Sequence, residues 1–379
     1  MAELRRKILI ISSQRPYYGG ASTTAYNLTK LLREKFDVKS IFVFRDKIET
    51  HDPDCIGNTY GVSIYKNKYV NKLITALFAK SNKNFLFLSL FMQIKYLLKI
   101  SKFKPDLVIV NIPVFFKVVQ RIFKSKKILF IVNGYSYLDK YWDKQTDVST
   151  IINNELSNTK HLNLTIDLFP EKFNGTIIFN SAITQHVYKA LGHYVGDSSI
   201  SFFNMLRVPE FKIKNFNERK YDIAFIVSMF SRKVKNPELA LEIFKHFPSQ
   251  NKIAIGEGSS DFENCPNTLV MPLMHQADIY KILNDTKVVL ITSYYDSSPG
   301  LQAEAILMGA NILSSKNVGW SEALDPNSVV TDYFNIDEWV DKTNFSLDNY
   351  QRNLNFINIE NNSKKNIYNK ISSLINVSL

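Results

Sequence analysis

The chain has 379 residues, enough for two domains of ordinary size, and 45% of them are hydrophobic, enough for a sizeable core. Its formal net charge is +12 at pH 7, from 47 Lys and Arg against 35 Asp and Glu. Two cysteines far apart, Cys55 and Cys265, exclude a disulfide scaffold, and six histidines without H-x-x-x-H or C-x-x-C spacing argue against a structural metal.

The first residues carry charges and run directly into a strand, so no signal peptide of ordinary form is expected, and a reducing cytoplasmic compartment fits best. Triplets such as Asn163-Leu164-Thr165 are then chance occurrences in an Asn-rich chain. A strand is predicted over 7–13 (KILIISS), followed by a loop over 14–22 that contains Arg15, Pro16, Gly19 and Gly20. A helix over 23–36 carries Ala25, Leu28, Leu31 and Leu32 on one face. The glycine turn is not G-x-G-x-x-G, so it is no dinucleotide fingerprint. Gly19 and Gly20 would let backbone approach a ligand, although a plain turn is the ordinary explanation.

A second strand is predicted over 38–44. From Cys55 to Pro105 there is no acidic residue, and lysines from Lys66 to Lys104 alternate with aromatics such as Tyr69, Phe78 and Phe91. The apolar run 85–94 is about half of the roughly 20 residues needed to span a bilayer, so it does not cross one. The stretch reads as a solvated helical face with a buried side, or as a surface that docks on an anionic membrane. Nucleic acid is set aside, because no stacking or zinc motif accompanies the charge.

Strands over 106–111 and 127–132 follow, the latter ending in Asn133-Gly134-Tyr135; another is predicted over 176–180, with a helix over 182–190. This alternation predicts a doubly wound parallel sheet. The polar stretch 206–220 reads as a linker, beyond which acids outnumber bases over 222–341. A second series begins there: strand 222–230, a basic loop with Arg232, Lys233 and Lys235, helix 239–247, strand 252–255, the turn Gly256-Glu257-Gly258, strand 268–271 and helix 278–284.

The stretch 286–322 carries the chemistry. A β-branched strand over 286–293 runs into the loop Tyr294-Tyr295-Asp296-Ser297-Ser298. Pro299 is expected to open a helix with Ser298 as its N-cap, and Gly309 to end it. A strand over 311–315 and a turn at Gly319 complete a β-loop-α-β unit, with its loop where open α/β sheets bind ligands. Glu304 lies five residues past Pro299, about 7.5 Å along the axis. Between Asp296 and Glu304, the backbone N–H groups of Ser298, Gly300 and Leu301 make an anion cradle flanked by two hydroxyl-binding acids. A nucleotide sugar has that layout; a plain amphipathic helix with surface carboxylates is the ordinary alternative.

The run Asp296-Ser297-Ser298-Pro299-Gly300-Leu301-Gln302-Ala303-Glu304, closing at Gly309, resembles the C-terminal E-x7-E signature of family-4-type GT-B glycosyltransferases. The match is close in spacing and in its proline and glycine, with Asp296 in place of the first Glu. The resemblance implies an α/β fold of two Rossmann-like domains facing a cleft. They divide as 1–208 on the acceptor side and 209–348 holding the donor, with a helical tail, 349–379, returning to the first. It implies Lys235 as the lysine on the donor diphosphate, Arg232 as its helper and Asp296 on the sugar. Glu304, Ser298, Pro299, Gly300, Leu301, Gly256, Glu257, Gly19 and Gly20 would be donor-binding, and Arg15 and Asn133 acceptor-side. Two further places depart from the pattern: Asn133 stands where the family often has His, and the pair Ser228-Met229 where it has Gly-Arg. Gly319-Trp320-Ser321-Glu322 matches the family's G-G-x-x-E region loosely.

The implied reaction transfers a sugar, with retention, from a nucleotide sugar to a hydroxyl of a glycan or lipid-linked acceptor. UDP-hexose is the donor expected from family habit, without cofactor. No metal is expected: D-x-D spacing occurs once, at Asp52-Pro53-Asp54, in a loop after His51 and not after an apolar strand. A nucleotide-sugar epimerase or phosphorylase on the same fold, and a membrane-associated scaffold with a decayed site, are the alternatives.

Overall fold

The computed structural model describes residues 6–13, 20–44, 59–63, 102–111, 119–120, 122–123, 127–134, 175–190, 198–201, 212–351 and 353–375. Arg15, Gly19, Asp52, Asp54 and the basic stretch from Lys66 to Lys99 lie outside these residues.

Two all-parallel sheets organise the chain. The first holds β1 (Lys7–Ser13), β2 (Asp37–Phe44), β3 (Thr59–Ser63), β4 (Leu107–Val110), β5 (Lys127–Val132), β6 (Thr176–Phe179) and β7 (Ser199–Ile200), in the order β3-β2-β1-β4-β5-β6-β7. The central strands are apolar without alternation because both faces are covered. Ile8 and Ile10 face one layer with Leu28, Leu32 and Ile109, while Leu9 and Ile11 face the other with Val108 and Val110. Helix α1 (Gly20–Leu32) covers the first of these layers through Ala25, Leu28, Leu31 and Leu32. It begins at Gly20, three residues before the expected start, and stops at Leu32, where Arg33 to Lys35 turn the chain toward β2. Helix α2 (Ala182–Ala190) follows β6.

The second sheet holds β8 (Tyr221–Met229), β9 (Lys252–Glu257), β10 (Thr268–Met271), β11 (Thr286–Ile291), β12 (Asn311–Ser315) and β13 (Val329–Val330), in the order β10-β9-β8-β11-β12-β13. Helices α3 (Pro237–His246) and α6 (Ile336–Asp348) pack on one face through Ile243, Phe244 and Trp339. Helices α4 (Gln276–Asn284) and α5 (Gly300–Leu307) pack on the other through Ile279, Leu283, Ala303 and Ala305. Strand order reverses between β8 and β11, so their exit loops diverge and leave a crevice at the carboxyl end of the sheet.

Helix α7 (Leu354–Ile375) touches both halves. Phe356 joins the core of the second sheet, while Ile367, Ile371 and Ile375 join that of the first. The Tyr368 hydroxyl donates to the Leu31 carbonyl at 2.5 Å. At the entry to β8, buried Arg219 donates to the carbonyls of Thr286 (2.7 Å), Met308 (3.1 Å) and Lys214 (3.1 Å). Its guanidinium lies over Gly309, where a Cβ would stand 2.6 Å from Nη2. Gly309 also has φ +75°, so it ends α5 in the left-handed conformation expected of a C-terminal glycine.

Candidate active site

The crevice is built on the exit loops of β8 and β11. Asn236 takes the left-handed conformation (φ 46°), which Asn tolerates, and its Oδ1 caps α3 by accepting the Leu239 N–H at 3.3 Å. The loop before it is tied to the end of β11. Buried Thr292 donates its hydroxyl to the carbonyls of Lys235 (2.9 Å) and Asn236 (3.0 Å), and the Tyr294 N–H donates to the Val234 carbonyl (2.9 Å). The Tyr333 hydroxyl donates to the Thr292 carbonyl at 2.7 Å and accepts from the Asn236 amide. Burial raises the pKa of that hydroxyl, so it stays a donor at physiological pH.

These ties hold the backbone of Lys235 at the crevice, and its ammonium pairs with the Asp296 carboxylate. The two side chains are 20% and 15% exposed. Asp296 is itself fixed: its carbonyl accepts the Gly319 N–H at 2.7 Å and its N–H reaches the Asn317 carbonyl at 3.4 Å. Gly319 is needed there, because a Cβ would stand 1.8 Å from the Ser297 carbonyl oxygen. Close backbone approach thus accounts for the glycine that opens Gly319-Trp320-Ser321-Glu322.

The start of α5 differs from the sequence expectation by one position. Pro299, not Ser298, is the N-cap residue, extended at ψ 125°, and Gly300 is the first helical residue. The Ser298 N–H donates to Asp296 Oδ1 at 3.4 Å, closing a local turn that removes it from the cradle. Proline offers no side-chain acceptor, and none among the described residues caps the helix. Gly300 and Leu301 thus begin an uncapped helix end, four residues beyond an Asp296 that is paired with Lys235.

Glu304 is 8% exposed, and its Oε1 accepts from Gln276 Nε2 at 2.5 Å. A Cβ on Gly300 would lie 3.9 Å from that Oε1, so the carboxylate points back toward the start of α5. Burial pushes its pKa up to about 6, against the opposing hydrogen bonds from Gln276 and Tyr280. A raised acid pKa means that the folded state keeps a proton the unfolded chain has lost. Stability from this group is therefore full below pH 4.5 and is lost as pH rises through about 6. Relative to Glu304→Gln, which does not titrate, the wild-type protein should lose about 2 kcal/mol of unfolding free energy between pH 4 and pH 7.5. Urea unfolding of both proteins at the two pH values checks this; a constant difference would show the carboxylate to be unperturbed.

The first sheet meets this loop at the ends of β5 and β6. The Asn133 carbonyl accepts from the Ser297 hydroxyl and from Asn180 Nδ2 (3.0 Å), and Asn180 Nδ2 also lies 3.3 Å from Ser297 Oγ. Trp320 Nε1 donates to the Asn180 carbonyl at 2.7 Å, from a residue at φ 68°. Thr184 Oγ1 and the Tyr295 hydroxyl are 3.4 Å apart. The Asn133 side chain turns into its own domain and donates to the Asn111 carbonyl at 3.2 Å. The sequence assigned no site role to Asn180, Ser297 or Trp320. A signal was present: Asn111, Asn133 and Asn180 each follow an apolar strand, as VIVN, FIVN and IIFN.

The structure thus gathers Lys235, Asp296, the start of α5 and Glu304. Glu257 ends β9, and its carbonyl accepts the Phe230 N–H at 2.9 Å, at the exit of β8. It is exposed and lines a cavity of about 420 Å³ with Met229, Ser231, Glu238 and Phe262; the described walls do not include Lys235, Asp296 or Glu304. Gly256 packs on its own sheet, since a Cβ would stand 2.1 Å from the Val227 carbonyl oxygen. Arg232 is exposed at the start of the turn that ends in Lys235, and Met229, where the resemblance implies Arg, is 41% exposed.

No family model matches the chain. No curated protein matches it either. Solved structures do. Sucrose-phosphate synthase from Thermosynechococcus elongatus aligns with a TM-score of 0.68 at 13% identity, covering 98% of both chains. The lipopolysaccharide outer core galactosyltransferase WaaB, in its apo form, aligns at 0.63 and 16% identity over 97% of this chain and 99% of its own. A TarM variant from S. aureus, in complex with Fondaparinux, alpha-GlcNAc-glycerol and UDP, aligns at 0.61 and 14% identity over 98% and 100%. At these identities the likeness is one of fold over the whole chain.

Proposed function

The chain has the GT-B fold of the glycosyltransferases, and we propose that it transfers a sugar from a nucleotide sugar to a hydroxyl acceptor, with retention. The observation that carries this reading is the Lys235–Asp296 pair beside the uncapped start of α5, with the Glu304 carboxylate turned toward the same helix end. The N–H groups of Gly300 and Leu301 and the Lys235 ammonium hold the diphosphate; Glu304 binds the ribose hydroxyls, and Asp296 orients the sugar. The leaving diphosphate accepts the acceptor's proton on the face from which it departs, while Lys235 and the helix end meet its growing charge. Rate comes from positioning and electrostatics. Titration of Glu304 near pH 6 would then tune donor affinity, since only the ionised carboxylate accepts from both ribose hydroxyls.

The donor is proposed as a UDP-hexose, in keeping with the UDP bound to one structural neighbour, and the acceptor as a glycan or lipid-linked glycan. The basic stretch ahead of β4 would bring the first domain to an anionic membrane surface. Among the described residues, no helix is long and apolar enough to cross a membrane.

We propose further that turnover needs neither cofactor nor divalent metal, because Lys235 and the helix end supply the charge. Incubating the protein with UDP-hexoses and an acceptor extract, and measuring released UDP with and without excess EDTA, tests both statements. Release that survives EDTA is expected. Release abolished by EDTA and restored by Mn²⁺ would assign a metal to the diphosphate. No release from any UDP-hexose would contradict the proposed donor, and no nucleotide release from GDP- and ADP-hexoses as well would favour a decayed scaffold.

A further inference from the structure

The Lys235–Asp296 pair joins the two groups that the transfer reaction would use separately. With its ammonium paired to the Asp296 carboxylate, Lys235 does not offer an unopposed positive charge to an incoming diphosphate. Both backbones are held. Lys235 and Asn236 are tied through their carbonyls to Thr292, and Asp296 is clamped between the Gly319 turn and the Ser297 contacts to Asn133 and Asn180. The lysine side chain, with four rotatable bonds and 20% exposure, is the part free to change partner.

We propose that Lys235 and Asp296 are an exchange pair, an inference that rests on the transferase reading. Donor binding draws the ammonium from the carboxylate to the diphosphate, and the carboxylate released in this way takes the sugar hydroxyls. After transfer the sugar has left, Asp296 has no hydroxyl partner, and it competes again for Lys235. The nucleoside diphosphate product is thereby weakened relative to the donor. The pair makes the site prefer a nucleotide that carries a sugar over the same nucleotide without one.

Calorimetric titration with UDP, GDP, ADP and their hexose conjugates tests this on four proteins: wild type, Asp296→Asn, Lys235→Met and the double variant. The nucleotide that the wild type binds is carried through the set. Asp296→Asn should bind the free diphosphate about tenfold more tightly, because its lysine is unopposed, and should bind the hexose conjugate no more tightly than wild type. In the Lys235→Met background, the Asn substitution should change diphosphate affinity by less than about twofold. A tenfold gain that persists in that background would mean simple repulsion between Asp296 and phosphate, and would overturn the exchange. So would an Asp296→Asn variant that binds the diphosphate no more tightly than wild type. If neither the wild type nor Asp296→Asn binds any of the nucleotides, the transferase reading itself fails, and the exchange falls with it.

Discussion

Glu304→Ala should raise the Michaelis constant for the nucleotide-sugar donor by on the order of 10²-fold while leaving the protein folded. The half-buried start and buried body of α5 put Glu304 at the boundary between core and crevice. An ionised carboxylate accepting two ribose hydroxyls contributes roughly 2–4 kcal/mol, which sets the size of the effect. Gln276 already donates to Oε1, so the carboxylate is aimed before the ligand arrives and little ordering remains to be done. Alanine in an α-helix is well tolerated, and removing a carboxyl whose burial raises its pKa relieves a desolvation cost. Loss of affinity should thus come without loss of fold. Initial rates against donor concentration, with a thermal melt as control, provide the measurement. Unchanged donor affinity in a folded variant would remove Glu304 from the site.

Lys235→Ala should lower turnover by on the order of 10²-fold or more, because the charge that lysine meets grows as the diphosphate leaves. The effect should be larger in kcat than in the donor Michaelis constant, since the departing diphosphate carries more charge than the bound donor and binding must first draw the ammonium from Asp296. Arg232→Ala should cost less: Arg232 is exposed at the far end of the same turn. A larger loss at Arg232 than at Lys235 would shift the phosphate contact along the loop.

The main strand series and its parallel arrangement followed from continuous apolar runs such as KILIISS and KILFIV, whose lack of alternation marks two-sided burial. The strands that escaped sequence reading are β3, with Gly61 in its middle, and β7 and β13, of two residues each; none offers a periodic pattern. At the site, the spacing of Asp296 and Glu304 around Pro299 was legible because helix geometry fixes it. The pairing of Lys235 with Asp296 was not, since 61 residues separate them and only the adjacency of β8 and β11 brings them together. Ser298 was misplaced by one position because Asp296 claims its N–H, a local competition that composition does not reveal. Gly256 and Gly319 both stood out as glycines, and in both cases what requires the glycine is a nearby carbonyl oxygen of the same domain.

The proposed reaction requires the donor to lie at the carboxyl end of β8 and β11. A crystal structure of the protein grown with a mixture of nucleotide sugars measures that directly. The account predicts one nucleotide retained, with its diphosphate within hydrogen-bond distance of the Gly300 and Leu301 N–H groups and of Lys235 Nζ, and its ribose on Glu304. A nucleotide held by the first domain alone would contradict it.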